Sequence, residues 1–240
     1  MNEAVKRTCV ERHDLVWLSP TALASVRLAE HRGCAPIAIE RAPARSHLAS
    51  WVARGHPLIV SRQPEDTPAG FLAVGLALPP REGKHRLPFL VDPRVIVRRD
   101  QPPRLDKCQG TLPAGWHTLA RALLADPAID AATPRIIGSA GMQLLTGEPC
   151  IGPASDLDLL CTAHNWQDAV QIARALAAIA GVHGTPRLDG ELRAPDGRTV
   201  AWRELAAQPA RLLVKGLRSL VLEDEFRVAA LFCTPARVAA

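Results

Sequence analysis

The stretch PRIIGSAGMQLLTGEPCIGPASDLDLL, residues 134–160, determines how the rest of this sequence is interpreted. It predicts a short strand, a tight turn at Gly138-Ser139, a helix and, after a loop rich in glycine and proline, a second strand. Ser139 is at the position of a helix N-cap, and Gly147 is the expected left-handed stop of the same helix. The stretch therefore predicts a strand, a helix and a strand in succession, with a glycine turn where the helix begins.

The second strand carries two acidic residues on one face. Side chains alternate between the two faces of a strand, so Asp156 and Asp158 share a face and Leu157 and Leu159 share the other. Neighbouring carboxylates bind hard divalent cations such as Mg²⁺ or Mn²⁺, which prefer oxygen ligands. Two such cations ~4 Å apart can activate an attacking hydroxyl and stabilise a leaving pyrophosphate. We therefore predict that Asp156 and Asp158 are catalytic metal ligands. The structural alternative is a pair of exposed acids at the end of a strand.

The Gly138-Ser139 turn predicts a phosphate-binding site upstream of the acids. Backbone N–H groups at a helix N-terminus favour phosphate, and glycine allows phosphate to approach the backbone closely. We therefore predict that Gly138 and Ser139 bind substrate, together with Ser155 beside the acid pair and Lys215 at the end of a later strand. Alternatively, Ser139 only caps its helix, and a terminal lysine is an ordinary feature of edge strands. The combination of turn and acid pair indicates phosphoryl or nucleotidyl transfer.

A third metal carboxylate is expected from the segment 187–203. This segment predicts a β-hairpin with Asp196-Gly197 at its tip. Asp189 and Glu191 share one face of its first strand. If the hairpin pairs with the strand of the acid pair, one of these two residues joins the metal site, and the sequence leaves the choice open.

These motifs carry a resemblance to known proteins. A Gly-Ser turn, a helix and Asp-Leu-Asp on the next strand resemble the nucleotidyltransferase superfamily that includes DNA polymerase beta. More narrowly, residues 138–160 resemble the malonate decarboxylase holo-acyl-carrier-protein synthases, the phosphoribosyl-dephospho-CoA transferases. Further matches to that family lie at residues 12–18, 188–192 and 213–215. The resemblance therefore extends over most of the chain.

The resemblance implies a metal-dependent nucleotidyltransferase reaction. The donor would be triphosphoribosyl-dephospho-CoA, the acceptor a serine of the acyl-carrier subunit of malonate decarboxylase, and the leaving group pyrophosphate. Two alternatives stay open. One is another nucleotidyltransferase or a metal-dependent glycosyltransferase with a DxD pair, although residues 1–60 lack the Rossmann-like start that a glycosyltransferase needs. The other is a non-enzymatic module that binds a carrier protein or nucleic acid, for which the acid pair would be dispensable.

The predicted fold class is α+β, in two domains. A small basic α+β domain is expected at residues 1–105 and a nucleotidyltransferase-fold domain with a mixed sheet at residues 112–240. The proline, glycine and charge of residues 100–115 are typical of a linker. Residues 1–110 hold 17 Lys/Arg against 11 Asp/Glu, whereas residues 111–240 hold 12 against 13. The basic half would suit a polyanionic ligand or an acidic partner, unless it is an ordinary solvated surface.

Composition also bounds the partners and the compartment. The chain has no tyrosine and 4% aromatic residues, which argues against a base-stacking nucleic-acid surface. Its six cysteines form no CxxC pair and are typical of a reducing compartment. The first residues lack the apolar segment of a signal peptide, and no apolar run approaches the ~20 residues that span a bilayer. We therefore expect a cytoplasmic protein without membrane association.

Two helix boundaries are further predictions. Ser19-Pro20 is expected to open a helix that continues to about Arg32. Asn165 is expected to cap a helix that ends at Gly181. Between residues 57 and 98, runs of β-branched and apolar residues predict a curled antiparallel sheet.

Overall fold

The computed structural model describes residues 10–29, 41–83 and 85–233. The chain divides into two units, residues 1–101 and 102–240, and each unit has its own sheet. Within the described ranges, no helix is long and apolar enough to cross a membrane.

The first unit contains a sheet in which neighbouring strands are antiparallel. Its described strands are β1 (Leu15–Leu18), β2 (Arg27–Leu28), β3 (Leu58–Val60), β4 (Leu72–Ala77), β5 (Arg86–Val91) and β6 (Ile96–Asp100), and its described α-helix is α1 (Arg41–Ala53). The order across the sheet is β2-β5-β4-β3-β1-β6. The predicted antiparallel sheet is confirmed.

Alternating side chains bury one face of this sheet. Along β5, Leu87, Phe89 and Val91 are buried while the residues between them are half-buried, as the period of a half-buried strand requires. Trp51 of α1 is fully buried and its indole Nε1 donates to the Pro57 carbonyl at 2.8 Å. The hydrogen bond offsets the cost of burying the indole N–H.

Asp14, in the N-terminal segment that resembles the transferase family, is buried and hydrogen-bonded within the first unit. Its side chain is 1% exposed and accepts hydrogen bonds from the guanidinium of Arg99 on β6, the shorter at 2.6 Å. It also accepts from the backbone N–H of Glu11 at 2.9 Å. A buried carboxylate requires such partners, and this one ties the start of β1 to β6.

The prediction that Ser19-Pro20 opens a long helix is wrong. Pro20–Ser25 forms a 3-10 helix, and the chain then becomes extended and enters β2. The Ser19 hydroxyl contacts the Thr21 hydroxyl at 2.8 Å and does not cap the helix. Val26 is 2% exposed, so the burial of a β-branched side chain and the pairing of β2 with β5 outweigh local helix propensity. The expected end near Arg32 lies outside the described residues.

The second unit is built on a mixed sheet. Its described strands are β7 (Arg135–Ile137), β8 (Leu157–Thr162), β9 (Leu188–Arg193), β10 (Thr199–Ala201), β11 (Arg211–Lys215) and β12 (Leu220–Asp224). Its described α-helices are α2 (Leu105–Cys108), α3 (His117–Ala125), α4 (Pro127–Ala131), α5 (Gly138–Thr146), α6 (Trp166–Val182), α7 (Trp202–Ala207) and α8 (Glu225–Phe232). The order is β12-β11-β10-β9-β8-β7, with β8 and β9 parallel and the other pairs antiparallel. The predicted mixed sheet is confirmed.

Helix α6 forms the crossover that lets β8 and β9 run in parallel. Its residues Ile172 and Leu176 are buried in the same core as Leu157 and Leu159 of β8. Leu105 is 0% exposed and belongs to this core too. The stretch predicted as a linker is therefore, beyond residue 101, folded into the second unit as α2 and two short 3-10 turns.

Several predicted boundaries in the second unit can be compared with the structure. Asn165 caps α6 by accepting from the Asp168 N–H at 2.8 Å, and Gly147 ends α5 in the left-handed conformation, so both predictions are confirmed. Ser139 is not the N-cap of α5, because Ile137 holds that position and no side chain caps the helix. The end predicted at Gly181 is also wrong, since α6 continues through Val182.

Candidate functional site

Three carboxylates converge where β8 and β9 begin. The parallel register pairs Asp158 with Asp189, and Asp156 directly precedes β8. One carboxylate oxygen from each of the three lies within 4.8 Å of the other two, and all three residues are half-buried. We call this group the acid cluster. It arises because same-face positions on β8 meet the matching position on its parallel neighbour.

Helix α5 begins directly beside the acid cluster. Ile137, the last residue of β7, pairs with Asp158, and Gly138 follows it with φ +65°. A Cβ atom at Gly138 would collide with the carboxylate of Asp158. It would lie only 3.1 Å from the Asp158 Cγ and closer still to Oδ2. Glycine is therefore needed both for the left-handed backbone and for the space that the carboxylate occupies. The turn and the acid pair predicted from the sequence lie side by side.

Arg187 contacts two members of the acid cluster. Its Nε donates to Oδ1 of Asp156 at 3.0 Å and its Nη2 to Oδ2 of Asp156 at 2.5 Å. The same Nη2 lies 3.1 Å from Oδ2 of Asp189. The hydrogen bonds to Asp156, with the charges of Asp156 and Asp189, raise the pKa of the Arg187 guanidinium above its ordinary value. Arg187 therefore carries a positive charge into the acid cluster at every working pH.

Glu191 is bound to partners outside the acid cluster. Its Oε1 lies 2.9 Å from Nζ of Lys215, and its Oε2 accepts from the Thr199 hydroxyl at 2.7 Å. The Glu191 residue is 8% exposed, so the carboxylate needs these partners to offset its desolvation. Two residues predicted as separate site members, Glu191 and Lys215, thus form an ion pair with each other. Among the described residues, the cluster that could hold a metal includes Asp189 and not Glu191.

The two predicted serines lie on either side of the acid cluster in sequence. Ser139 is in the first turn of α5. Ser155 closes a turn: its hydroxyl accepts from the Gly152 N–H at 2.9 Å and its own N–H donates to the Gly152 carbonyl at 3.0 Å. This turn delivers the chain to Asp156. The role of either hydroxyl in substrate binding stays a prediction.

Sequence reasoning missed Arg187 and Gln143. Gln143 projects from α5, and its Oε1 accepts from the backbone N–H groups of Cys150 and Ile151 at 3.0 and 2.9 Å, which fixes the loop between α5 and β8. A long polar side chain in the middle of a mostly apolar helix was a weak signal for this role. Arg187 could have been noticed because it stands two residues before Asp189, a spacing that places both side chains on the same side of an extended chain.

The acid cluster has the chemistry of a divalent metal site. Its donors are carboxylate oxygens, which Mg²⁺ and Mn²⁺ prefer over nitrogen or sulfur. The cluster is half-buried and already attracts one cation, the Arg187 guanidinium. The residues present therefore fit such an ion.

Comparison with known proteins identifies the family. Residues 99–225 match the model of the C-terminal domain of the phosphoribosyl-dephospho-CoA transferase MdcG, and residues 11–102 match the model of the MdcG N-terminal domain. The first match contains the whole acid cluster and the start of α5. No solved structure gives a significant match.

Full-length relatives agree with these matches. A phosphoribosyl-dephospho-CoA transferase of Xanthomonas axonopodis pv. citri is 35% identical, over 95% of this chain and 99% of the relative. Proteins of the same name from Bradyrhizobium diazoefficiens and Azotobacter vinelandii are 34% and 30% identical, over 89% and 92% of this chain and 89% and 96% of the relatives. The relatives are transferases by name. The chain belongs to the phosphoribosyl-dephospho-CoA transferase family.

Proposed function

We propose that this protein transfers a phosphoribosyl-dephospho-CoA group from triphosphoribosyl-dephospho-CoA to a serine of the acyl-carrier subunit of malonate decarboxylase. The observation that carries this proposal is the acid cluster at the start of α5, in a chain that belongs to this transferase family. We further propose that the second unit is a nucleotidyltransferase domain of the kind found in DNA polymerase beta, since a glycine turn, a helix and an Asp-x-Asp strand succeed one another in it.

The reaction needs no nucleophile from this protein. The serine hydroxyl of the carrier attacks the phosphorus nearest the ribose, a new O–P bond forms, and the bond from that phosphorus to the pyrophosphate oxygen breaks. The serine proton goes to solvent or to a nearby base, and pyrophosphate leaves with the electron pair. Catalysis then consists of positioning the two reactants and stabilising charge on the phosphates.

The described residues divide this work between them. Asp156, Asp158 and Asp189 would hold Mg²⁺ or Mn²⁺, and we propose Asp189 as the third carboxylate because Glu191 is bound to Lys215. When bound, such an ion lowers the pKa of a coordinated hydroxyl and neutralises charge on phosphate oxygens. Gly138 and Ser139 present the N-terminus of α5 to the donor phosphates. Ser155 and Lys215 stay predicted donor contacts.

The first unit is proposed to serve the acceptor. Its arginine-rich composition suits an acidic carrier protein, which it would attract over distances comparable with the Debye length of ~8 Å at physiological salt. An excess of positive charge of this kind mainly raises the rate of encounter. It leaves the chemistry to the second unit. We propose a cytoplasmic location, because the six cysteines form no CxxC pair and are typical of a reducing compartment.

Metal removal is the test of this function. We expect protein treated with EDTA and then freed of chelator to release no pyrophosphate from the donor in the presence of the carrier. Added Mg²⁺ or Mn²⁺ should restore release, because the negative charge of the triphosphate would otherwise face three carboxylates with only the Arg187 guanidinium beside them. An enzyme-coupled pyrophosphate assay measures the effect. Ca²⁺, a hard cation of larger radius, is added in place of Mg²⁺ as the comparison. Full activity in the chelated, metal-free protein would contradict the metal-dependent mechanism.

A further inference from the structure

Arg187 is an unusual neighbour for a metal site. A site that recruits divalent cations gains from an excess of negative charge, yet this guanidinium reaches two of its three carboxylates through contacts of 2.5 to 3.1 Å. The planar guanidinium donates from Nε and Nη2 to the two carboxylate oxygens of Asp156, and Nη2 also lies close to Asp189. The guanidinium thus lies against the oxygens that a metal ion would need.

The ion pairs of Arg187 with Asp156 and Asp189 can be broken and replaced by other contacts. The Arg187 side chain is 60% exposed, whereas those of Asp156 and Asp189 are 26% and 30% exposed. Exposed ion pairs contribute little to stability, because water competes for both partners. The guanidinium can therefore leave the carboxylates without disturbing the core, while the carboxylates stay fixed at the starts of β8 and β9.

The released side chain would still be next to the acid cluster. Arg187 immediately precedes β9, and β9 lies beside β8. Its planar fork matches two oxygens of a phosphate as well as two of a carboxylate. A triphosphate brought to the cluster by divalent cations offers such oxygens within the reach of an arginine side chain.

We propose that Arg187 is an internal counter-ion of the acid cluster, which divalent cations displace and which then binds a phosphate of the donor. This proposal rests on the metal-dependent function proposed above. In the protein without donor, Arg187 weakens metal binding by competing for Asp156 and Asp189. In the complex with donor, it stabilises the triphosphate. Arg187 thereby couples metal binding to donor binding, so that the metal is held tightly when the donor is present.

The test compares Arg187→Gln with Arg104→Gln. Arg104 forms a pair of the same kind with Asp106, with contacts of 2.8 and 3.0 Å and side chains 45% and 29% exposed, and neither residue belongs to the acid cluster. Isothermal titration with Mn²⁺ alone measures metal affinity directly. A second titration, with triphosphoribosyl-dephospho-CoA in the presence of saturating Ca²⁺, measures donor affinity without turnover.

Opposite shifts are expected in the two titrations. Arg187→Gln should bind Mn²⁺ about fivefold more tightly, because a competing ion pair is lost. It should bind donor about tenfold or more weakly, because a charge-assisted phosphate contact is lost. Arg104→Gln should match the wild type in both. Arg187→Lys, which keeps the charge but loses the fork, should bind donor with intermediate affinity.

The outcomes separate this proposal from the proposed function. If the wild type binds no Mn²⁺, or binds it equally well after Asp158→Asn, the metal site itself is wrong. Suppose that the wild type binds Mn²⁺ through Asp158 but Arg187→Gln leaves Mn²⁺ affinity unchanged or weakens it. The proposal that Arg187 is a counter-ion is then overturned, whereas the proposed metal site is not. Unchanged donor affinity in Arg187→Gln would likewise overturn the phosphate contact.

Discussion

Asp156→Asn and Asp158→Asn are each expected to lower kcat for transfer about a thousandfold or more. Each change removes a charge from the proposed metal site, and charge stabilisation there contributes several kcal/mol at the transition state, where ~1.4 kcal/mol is a factor of ten in rate. The fold should survive both changes, because both residues are half-buried. Steady-state pyrophosphate release at saturating donor and metal measures kcat for each variant.

Asp106→Asn is the matched control for Asp156→Asn. Asp106 is also paired with an arginine and has a similarly exposed side chain, 29% against 26%, but it lies outside the acid cluster. It should keep full activity and lose at most about 1 kcal/mol of stability. If either cluster variant, correctly folded by circular dichroism, retains activity within tenfold of the wild type, the acid cluster is not the catalytic metal site.

Gly138→Ala is expected to lower kcat/KM about a hundredfold and to destabilise the protein. The added Cβ must share space with the Asp158 carboxylate, and displacement of a reacting group by ~1 Å costs about that factor. The φ of +65° adds a backbone cost of roughly 1–2 kcal/mol for a residue other than glycine. Urea denaturation and transfer kinetics measure the two effects separately.

Gly147→Ala separates backbone strain from the collision with Asp158. Gly147 has φ +71° at the other end of α5, and a Cβ there meets no atom within 4 Å. It should therefore lose a similar amount of free energy of unfolding, roughly 1–2 kcal/mol, while keeping kcat/KM within about threefold of the wild type, since it touches no reacting group. Equal losses of activity in both variants would mean that general destabilisation, and not the position of Asp158, limits transfer.

The acid pair and its turn were predictable because local rules decide them. Alternation along the extended chain that enters β8 places Asp156 and Asp158 on one side, whatever the strand packs against. Gly147 and Asn165 were predicted correctly for the same reason, since each acts on backbone groups within a few residues of itself. The mixed sheet followed from the order of strands and helices along this half of the chain.

The choice between Asp189 and Glu191 depended on long-range pairing. Both face the same way on β9, and the difference is that β10 and β11 bring Thr199 and Lys215 to Glu191. Register between distant strands is not encoded in a local pattern. The N-cap at Ser139 was also predicted wrongly, because α5 already includes Gly138 and Ser139 and so begins two residues earlier than the pattern of cap residues predicts.

The central claim is that this protein attaches a phosphoribosyl-dephospho-CoA group to a carrier serine. Its most direct test is the intact mass of the apo acyl-carrier subunit of malonate decarboxylase after incubation with the protein, triphosphoribosyl-dephospho-CoA and Mg²⁺. We predict that the carrier gains the mass of one phosphoribosyl-dephospho-CoA unit, on a single serine, with one pyrophosphate released for each carrier modified. An unchanged carrier mass, with intact donor and folded protein in the same sample, would contradict the account.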